Sequence, residues 1–339
     1  MTHGGLRTKL RPGIARSLRP RRQGLRDSPP PAAGVRVHWE SLPDSVRRAI
    51  EARLGGKVVE AITQPGGFSP GLAARLRTND GRWCFVKAVS EQANPDTPAM
   101  HRREARIVAA LPPSIPVPRL LWMYDAEGWV ALGFEEVEGR HPGDPWTERD
   151  LDLVVAAIKK MSVDLTPSPV ATEATASRAF EHAINGWRIA QERDESRLAP
   201  WCLRHLSRLA DLESRAPLAA TGETLLHFDT RADNLLIAGD RVFVFDWPHA
   251  RRGAAYVDWL AMAPSVAMQG GPTPDEFMNR FDLSDVARED FDAILCSLAG
   301  YFVVHGLDPA PPGLPTVRAF QAAQGEVALE WLQKRTGWE

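Results

Sequence analysis

The sequence predicts an α+β protein with two lobes, in which a small antiparallel β-sheet carrying one helix precedes a larger, mainly α-helical lobe. The chain has 339 residues, more than a single hydrophobic core usually serves. Residues 57–134 contain short strand-like segments separated by turns, whereas residues 146–339 contain apolar residues at helical spacing. The polar stretch between them, EEVEGRHPGDP (135–145), is rich in glycine and proline and typical of a linker. We therefore expect an N-terminal lobe at 35–134, a linker at 135–145 and a C-terminal lobe at 146–339.

The first 34 residues differ in composition from the rest of the chain. They contain eight basic residues and one acidic residue, Asp27, and end in SPPPAAG. Because they have neither a signal-peptide core nor helical periodicity, we predict that residues 1–34 are a disordered basic tail that folding does not require. Composition alone leaves a nucleic-acid-binding arm open as the alternative. The whole chain has a formal net charge of only -2, so we expect no nucleic-acid partner and no membrane partner.

The three cysteines, Cys84, Cys202 and Cys296, lie far apart in the sequence. An odd number without CxxC spacing argues against a disulfide framework and a zinc site, and favours a reducing compartment. No apolar run approaches the length of a membrane span. The expected location is cytoplasmic.

The N-terminal lobe is predicted to contain five strands. KVVEAI (57–62), LAARLRT (72–78) and WCFVKA (83–88) form a meander, with the glycine-rich turn TQPGGFSPG at its first bend and an Asp-Gly turn at its second. A helix begins near Thr97, where Pro98 occupies a first-turn position. Two further strands, RLLWMYD and GWVALGF, flank the turn DAEG.

The C-terminal lobe is predicted to be mostly helical. Thr147 with Asp150 resembles a capping box at the start of the first helix, and Pro200 opens another. Apolar periodicity predicts three longer helices, in AYVDWLAMA, FDAILCSLAGYFVVHGL and TVRAFQAAQGEVALEWLQ.

The stretch HFDTRADN is the most unusual feature, because it places polar residues directly before the apolar segment LLIAGDRVFVFDW. This segment predicts a hairpin whose two turn residues are Gly239 and Asp240. Antiparallel pairing then sets Asn234 opposite Phe245, with Asp246 one step beyond. The hairpin therefore brings two polar side chains together at its open end.

These side chains carry the kind of oxygen atoms that bind a hard divalent cation. Asn234 and Asp246 emerge close enough to share an ion such as Mg²⁺. Asp229, five residues before Asn234, reaches the same end through the loop DTRAD. The hairpin thus presents a metal site and a separate carboxylate to one point. For Asp233 we favour a role in capping or solvating the loop.

At this point the sequence resembles a known family, the aminoglycoside phosphotransferases, within the wider protein-kinase-like fold. The family's catalytic loop, H-G-D-x-x-x-x-N, is matched by HFDTRADN, and its metal-binding aspartate by VFVFDW. Its nucleotide lysine is matched by FVKA and the partner glutamate by RREARIVAAL. The resemblance extends from Val58 to Asp258 and implies a bilobal kinase-like architecture.

The resemblance also implies a role for each matching residue. Asp229 is the catalytic residue that takes or orients the proton of the acceptor hydroxyl. The metal ligands for Mg²⁺ are Asn234 and Asp246. The residues that bind ATP are Lys87 with its partner Glu104, the hinge residues Glu135 and Val137, and the loop residues Gly66, Gly67 and Ser69. His227 is implied to be structural rather than catalytic, and Asp258 to brace the catalytic loop by hydrogen bonding.

Two positions depart from the family pattern. Phe228 stands where the family usually has glycine, at a position that varies among kinase-like proteins and does not threaten catalysis. Pro70 replaces a common asparagine in the glycine-rich turn and removes one backbone donor, so phosphate contacts there are less certain.

The implied function is that of an ATP-dependent small-molecule O-phosphotransferase, whose partner is a small hydroxyl compound. A catalytically silent nucleotide-binding or regulatory protein of the same fold is the alternative. A protein kinase is disfavoured, because the chain between Asp246 and Asp258 is too short for an activation segment.

The acceptor is not fixed by the sequence. The basic residues His249, Arg251 and Arg252 argue against a polycationic acceptor, unless they face solvent or pair with local acids. Four tryptophans belong either to the core or to the lining of an acceptor pocket. They are Trp187, Trp201, Trp247 and Trp259.

Overall fold

The computed structural model describes residues 30–68, 70–143, 145–172, 174–193 and 195–339. The predicted nucleotide-binding residue Ser69 lies outside the described residues, and so do residues 1–29 of the predicted tail. The described residues form an antiparallel sheet with helices, followed by a larger helical part.

The N-terminal part is a five-stranded antiparallel sheet with strand order β1-β2-β3-β5-β4. The strands are β1 (Val58–Thr63), β2 (Leu72–Thr78), β3 (Trp83–Ser90), β4 (Leu120–Ala126) and β5 (Trp129–Glu135). All five predicted strands are confirmed. Lys87 lies on the central strand β3, where it pairs with Ala73 of β2 and Leu132 of β5. The sheet therefore fixes the backbone position from which the Lys87 side chain extends.

Two helices, α1 (Asp44–Leu54) and α2 (Thr97–Ala110), accompany the sheet. Helix α2 confirms the prediction. Helix α1 was not predicted, because its buried residues Val46, Ile50 and Leu54 recur only every fourth position between charged residues. The sheet thus carries two helices rather than one.

The C-terminal part contains nine helices within the described residues. They are α3 (Glu148–Asp164), α4 (Ala176–His182), α5 (Gly186–Glu192), α6 (Pro200–Glu213), α7 (Ala216–Ala219), α8 (Tyr256–Met268), α9 (Pro274–Met278), α10 (Arg288–Gly306) and α11 (Val317–Thr336). Thr147 caps α3 by accepting a hydrogen bond from the Asp150 amide at 3.2 Å, as predicted. The three long predicted helices correspond to α8, α10 and α11.

The predicted hairpin is formed by β7 (Leu235–Ala238) and β8 (Arg241–Val244). Leu235 pairs with Val244, which is the predicted register, and Gly239 has a φ of +64° in the turn. A second two-stranded sheet pairs β6 (Thr224–Leu226) with β9 (Arg251–Gly253). The two small sheets therefore flank the stretch HFDTRADN.

A segment before α1, residues 32–37, lies along the glycine-rich loop, residues 63–71; we call this segment the N-terminal strap. The Gly67 amide donates to the Ala32 carbonyl at 2.9 Å. The Ala33 amide donates to Thr316 Oγ1 at 3.2 Å, just before α11. Residues 32–34 were assigned to the disordered tail, but the structure places them against both the loop and the helical part.

Within the described ranges, no helix is long and apolar enough to cross a membrane. The thiols of Cys84, Cys202 and Cys296 are buried and are not joined in disulfides.

Candidate active site

A buried ion pair joins β3 to α2. Lys87 Nζ lies 2.8 Å from Glu104 Oε1 and 3.1 Å from Glu104 Oε2. It also lies 2.6 Å from Asp246 Oδ1. Burial alone would lower the pKa of Lys87, but the two carboxylates raise it above its ordinary value. The lysine therefore remains a cation, held at a fixed point between the sheet and the hairpin.

Asp246 and Asn234 meet at the open end of the hairpin, as predicted. The Phe245 amide donates to the Asn234 carbonyl at 3.1 Å, and Asp246 then turns back with a φ of +69°. Burial raises the pKa of Asp246, but the Lys87 ammonium and, to a smaller extent, His249 and His227 lower it, and the net shift is downward. Asp246 is therefore an anion suited to a cation.

Asp229 lies beside this pair. Asn234 Nδ2 donates to the Asp229 carbonyl at 2.8 Å and to Asp229 Oδ2 at 3.2 Å. Burial raises the pKa of Asp229, and the charge of Arg231 opposes that rise. A carboxylate of raised basicity thus stands next to the asparagine that faces Asp246.

Arg231 is the residue of this site that the sequence did not identify. Its Nη1 donates to Asp229 Oδ1, and its Nε and Nη2 each donate to Asp233 at 3.0 Å. The guanidinium also lies 5.3 Å from the ring centroid of Phe68, at the tip of the glycine-rich loop. Asp233 is therefore held by an ion pair rather than acting as a loop cap.

His227 and Asp258 hold the backbone of the stretch HFDTRADN by hydrogen bonds. Both oxygens of Asp258 accept backbone hydrogen bonds, from the His227 amide at 2.7 Å and the Phe228 amide at 2.8 Å. His227 is fully buried; its Nε2 lies 3.0 Å from the Phe245 carbonyl, and its Nδ1 accepts from the Asp229 amide at 3.3 Å. Burial lowers the pKa of His227 to about 4, so the ring is neutral near pH 7 and both nitrogens are engaged. The brace predicted for Asp258 is confirmed.

Phe228 occupies a backbone position that favours glycine. Its φ is +66°, in the left-handed region where a side chain is unfavourable. The ring packs edge-on against Phe180, with centroids 6.1 Å apart, and lies 5.1 Å from the guanidinium of Arg251. These contacts, together with the Asp258 hydrogen bond, hold the residue in this conformation. The requirement for positive φ explains why glycine is usual here.

A cavity of about 690 Å³ opens between the sheet and the helical part. Eight of the predicted site residues line it, namely Gly66, Gly67, Lys87, Glu104, Glu135, Val137, Asn234 and Asp246. Asp229 is attached to this set through Asn234. The Glu135 carboxylate is engaged by Arg119 Nε at 2.6 Å, and the Glu135 amide donates to the Arg119 carbonyl at 2.9 Å.

Comparison with known protein families identifies the chain. The model of the phosphotransferase enzyme family, APH, matches residues 65–291, well over half of the sequence. The chain belongs to this family. The match spans residues 65–71 of the glycine-rich loop, Lys87, the stretch HFDTRADN and Asp246. No curated protein matches the chain.

Solved structures of phosphotransferases share the architecture. A thermostable mutant of aminoglycoside phosphotransferase APH(4)-Ia, in complex with ADP and hygromycin B, is 13% identical, with a TM-score of 0.60 over 87% of this chain and 100% of that chain. A choline/ethanolamine kinase family protein from Mesorhizobium loti is 14% identical, with a TM-score of 0.59 over 87% and 97%. An aminoglycoside-3'-phosphotransferase of type VIII is 22% identical, with a TM-score of 0.53 over 76% and 98%. These likenesses confirm the kinase-like fold.

The basic residues after Asp246 have different surroundings in this phosphotransferase family member. Arg252 forms an ion pair with Glu223 at 2.9 Å, and Arg251 is half-buried over Phe228. The charge of His249 contributes to lowering the pKa of both Asp246 and Asp229. Of the three, His249 has the clearest link to the site.

The tryptophans named in the sequence analysis serve packing. Trp187 and Trp247 are fully buried. Trp259 stacks on Phe281, with centroids 4.7 Å apart, and Trp201 stacks on Trp338 at 6.0 Å. All four therefore lie in the core or pack against it, and Trp247 also contributes to the wall of the cavity.

The buried residue His101 leads us to expect that the folded state loses stability in acid. It lines the cavity one turn before Glu104, and burial together with the nearby Lys87 lowers its pKa to about 3. Because an unfolded histidine has a pKa near ~6.5, the unfolded state binds a proton first, so stability falls as pH falls from about 6.5 towards about 3. In urea unfolding at pH 7, 6 and 5, the free energy of unfolding should fall less steeply with falling pH in His101→Gln than in wild type. The difference in slope should be up to ~1.4 kcal/mol per pH unit.

The matched control for this prediction is His182→Gln, since His182 is exposed. It should keep the wild-type pH dependence. A His101→Gln variant with the same acid sensitivity as wild type would show that His101 is not kept neutral in the native state.

Proposed function

We propose that the chain is an ATP-dependent small-molecule O-phosphotransferase, which transfers the γ-phosphate of Mg²⁺–ATP to a hydroxyl group of its acceptor. The observation that carries the proposal is that the cation Lys87, Asn234 and Asp246 line a single cavity, while the carboxylate of Asp229 is hydrogen-bonded to the Asn234 side chain. Nucleotide binding alone does not require Asp229. The solved neighbours support a nucleotide in this cavity, since one of them holds ADP.

In the proposed reaction, the acceptor oxygen forms a bond to the γ-phosphorus while the bond from that phosphorus to the bridging oxygen breaks. ADP leaves with the electrons of the broken bond, and the hydroxyl proton passes to Asp229. Lys87, fixed by Glu104, would contact the α- and β-phosphates. Because the transition state is loose, positioning and positive charge lower the barrier more than strong basicity does.

Asn234 and Asp246 would hold Mg²⁺ in this proposal. Among the described residues, no group of three or more histidine, cysteine, aspartate or glutamate side chains is arranged to bind a metal. Two oxygen ligands nevertheless fit Mg²⁺, which usually takes one or two protein ligands and completes its shell with phosphates and water. When bound, the ion would neutralise charge on the phosphate oxygens.

The opposite end of the cavity suits adenine. The chain leaves β5 at Glu135, and backbone groups of Glu135 and Val137 would contact the base edge, with Gly66, Gly67 and Ser69 over the phosphates. This arrangement makes residues 135–145 the linker of two lobes at 35–134 and 146–339, as part of the same proposal. The cytoplasm, where ATP is supplied, is the proposed location.

Mg²⁺–ATP should raise the Tm of the wild-type protein, because a ligand of the native state stabilises it by mass action. Lys87→Ala should diminish that shift. The control is Lys57→Ala, which removes an exposed lysine of the same sheet region and should leave the shift unchanged. A wild-type protein without any shift at millimolar Mg²⁺–ATP would contradict the proposed function.

A screen of ATP consumption across hydroxylated compounds separates an enzyme from a silent nucleotide-binding protein. Neutral sugars, amino alcohols, anionic hydroxy compounds and polycationic aminoglycosides should be compared. Acceptor-dependent ADP release identifies the enzyme and its substrate class. Binding of ATP without turnover on any class favours the silent alternative.

A further inference from the structure

The N-terminal strap pairs with described residues of the glycine-rich loop. The Val37 amide donates to the Gly71 carbonyl at 3.0 Å, and the Gly71 amide to the Val35 carbonyl at 3.2 Å. Ala33 also forms isolated bridges with Gly66 and Gly67. The strap thus lies beside the loop like an additional short strand.

This pairing changes which loop groups face the cavity. The Gly67 amide, which the family resemblance assigns to the phosphates, instead donates to the Ala32 carbonyl. The strap therefore occupies a backbone donor of the loop. In exchange it brings a side chain into the cavity, that of Arg36.

Arg36 is held against the loop by three backbone carbonyls. Its Nε donates to Gln64 O at 3.0 Å, and its Nη2 donates to Gly66 O and, at 3.3 Å, to Gly67 O. These carbonyls orient the guanidinium. Gly67 permits the approach, since it has a φ of +90° and a Cβ there would lie 3.1 Å from Arg36 Nη2.

The position of Arg36 is at the phosphate end of the cavity. It lines the cavity together with Lys87, Asn234 and Asp246, and the charge of Asp246 acts on it, since it partly offsets the lowering of the Arg36 pKa by burial. A nucleotide with its base at Val137 would extend its phosphates towards these residues.

The charges at this end call for a further cation. Lys87 is paired with Glu104 and Asp246, and Arg231 with two more carboxylates. Four carboxylates therefore surround two cations where a polyphosphate has to bind. A guanidinium matches phosphate oxygens in both charge and geometry.

We propose that Arg36 is a phosphate-binding residue, supplied by the N-terminal strap, that contacts the β- and γ-phosphates of the bound nucleotide. The inference rests on the proposed function, because it takes ATP as the ligand. It assigns to the segment before α1 a direct part in nucleotide recognition, in addition to the loop, the lysine and the hairpin.

The test compares ligands that differ only in phosphate. Affinities for ATP, ADP and adenosine are measured by calorimetry, with Mg²⁺ present, for wild type, Arg36→Gln and Arg36→Lys. Arg36→Gln should lose roughly 10- to 100-fold in ATP affinity, the scale of a hydrogen bond to a charged group, less for ADP, and nothing for adenosine. Arg36→Lys, which keeps the charge, should recover most of the ATP affinity.

The control is Arg48→Gln in α1, an exposed arginine of the same region, which should bind all three ligands as wild type does. Equal losses for ATP and adenosine in Arg36→Gln would overturn the inference and make Arg36 a support of the loop only. Unchanged ATP affinity in that variant would also overturn it, while leaving the proposed function intact. A wild-type protein that binds none of the three ligands would instead refute the proposed function.

Discussion

Asp229→Asn is expected to lower turnover by roughly 10²-fold or more, the scale of a lost acid–base group, while Mg²⁺–ATP affinity stays close to that of wild type. The change keeps the shape of the side chain and removes the group that takes the acceptor proton. Asp229 is joined to Arg231 and Asn234 rather than to Lys87. Its loss should therefore affect the chemical step more than nucleotide binding.

The matched control is Asp233→Asn, because Asp233 is the second carboxylate that Arg231 binds. Both variants remove one negative charge from the same guanidinium, but it is Asp229 that accepts a hydrogen bond from the Asn234 side chain. Turnover should remain near wild type in Asp233→Asn. ATP hydrolysis is the first readout, followed by phosphorylation of the acceptor found in the screen. Full activity in Asp229→Asn would remove this residue from the mechanism.

Asp246→Asn is expected to weaken both Mg²⁺–ATP binding and turnover. The substitution removes the charged one of the two proposed metal ligands. It also breaks the 2.6 Å ion pair with Lys87. Both the proposed Mg²⁺ and the Lys87 ammonium therefore lose the charge of Asp246. The loss of metal affinity should be at least as large as the roughly 10- to 100-fold that follows loss of an outer partner of a metal ligand.

Calorimetric titration with Mg²⁺–ATP and with metal-free ATP separates the two effects of Asp246→Asn. The loss of ATP affinity in Asp246→Asn should be largest when Mg²⁺ is present. Comparison with Asp229→Asn then tests the division of roles: equal losses of Mg²⁺–ATP affinity in both variants would refute it. A Tm for each variant without ligand shows whether the fold is retained.

The parts of the site that the sequence could predict depend on local rules. The hairpin register followed from the turn at Gly239 and Asp240, because a two-residue turn fixes which residues pair. The contact between Lys87 and Glu104 followed from the family pattern. Its geometry was then set by the sheet and by α2, whose start near Thr97 was also predictable.

The parts that escaped prediction depend on contacts between distant segments. Helix α1 has too few apolar positions to stand out, and its burial depends on the sheet beneath it. Arg231 lies between two aspartates in the sequence, which was a usable signal, but only the folded loop turns both carboxylates towards it. The positive φ of Phe228 was marked solely by the glycine that relatives carry.

The strap shows the same limit most clearly. Residues 32–37 have no helical or alternating period, and their partners lie in the glycine-rich loop and, beyond residue 310, in the helical part. Pairing over such separations leaves no trace in local composition. Residues 32–34, which the composition assigned to the tail, therefore pair with the folded part of the chain.

The strap also connects the sheet to the helical part at a second place, across the mouth of the cleft. The sheet and the helical part are connected by the covalent linker at the back. The second connection consists of hydrogen bonds. Ala33 bonds with Thr316, and the Val35 amide donates to the Gly313 carbonyl at 2.8 Å. Phe68 adds an edge-on contact with Phe320, with centroids 5.3 Å apart. In the proposed reaction, ADP would leave through this mouth, and widening it would break these contacts, so residues 33–35 and Phe68 would set how fast the product is released.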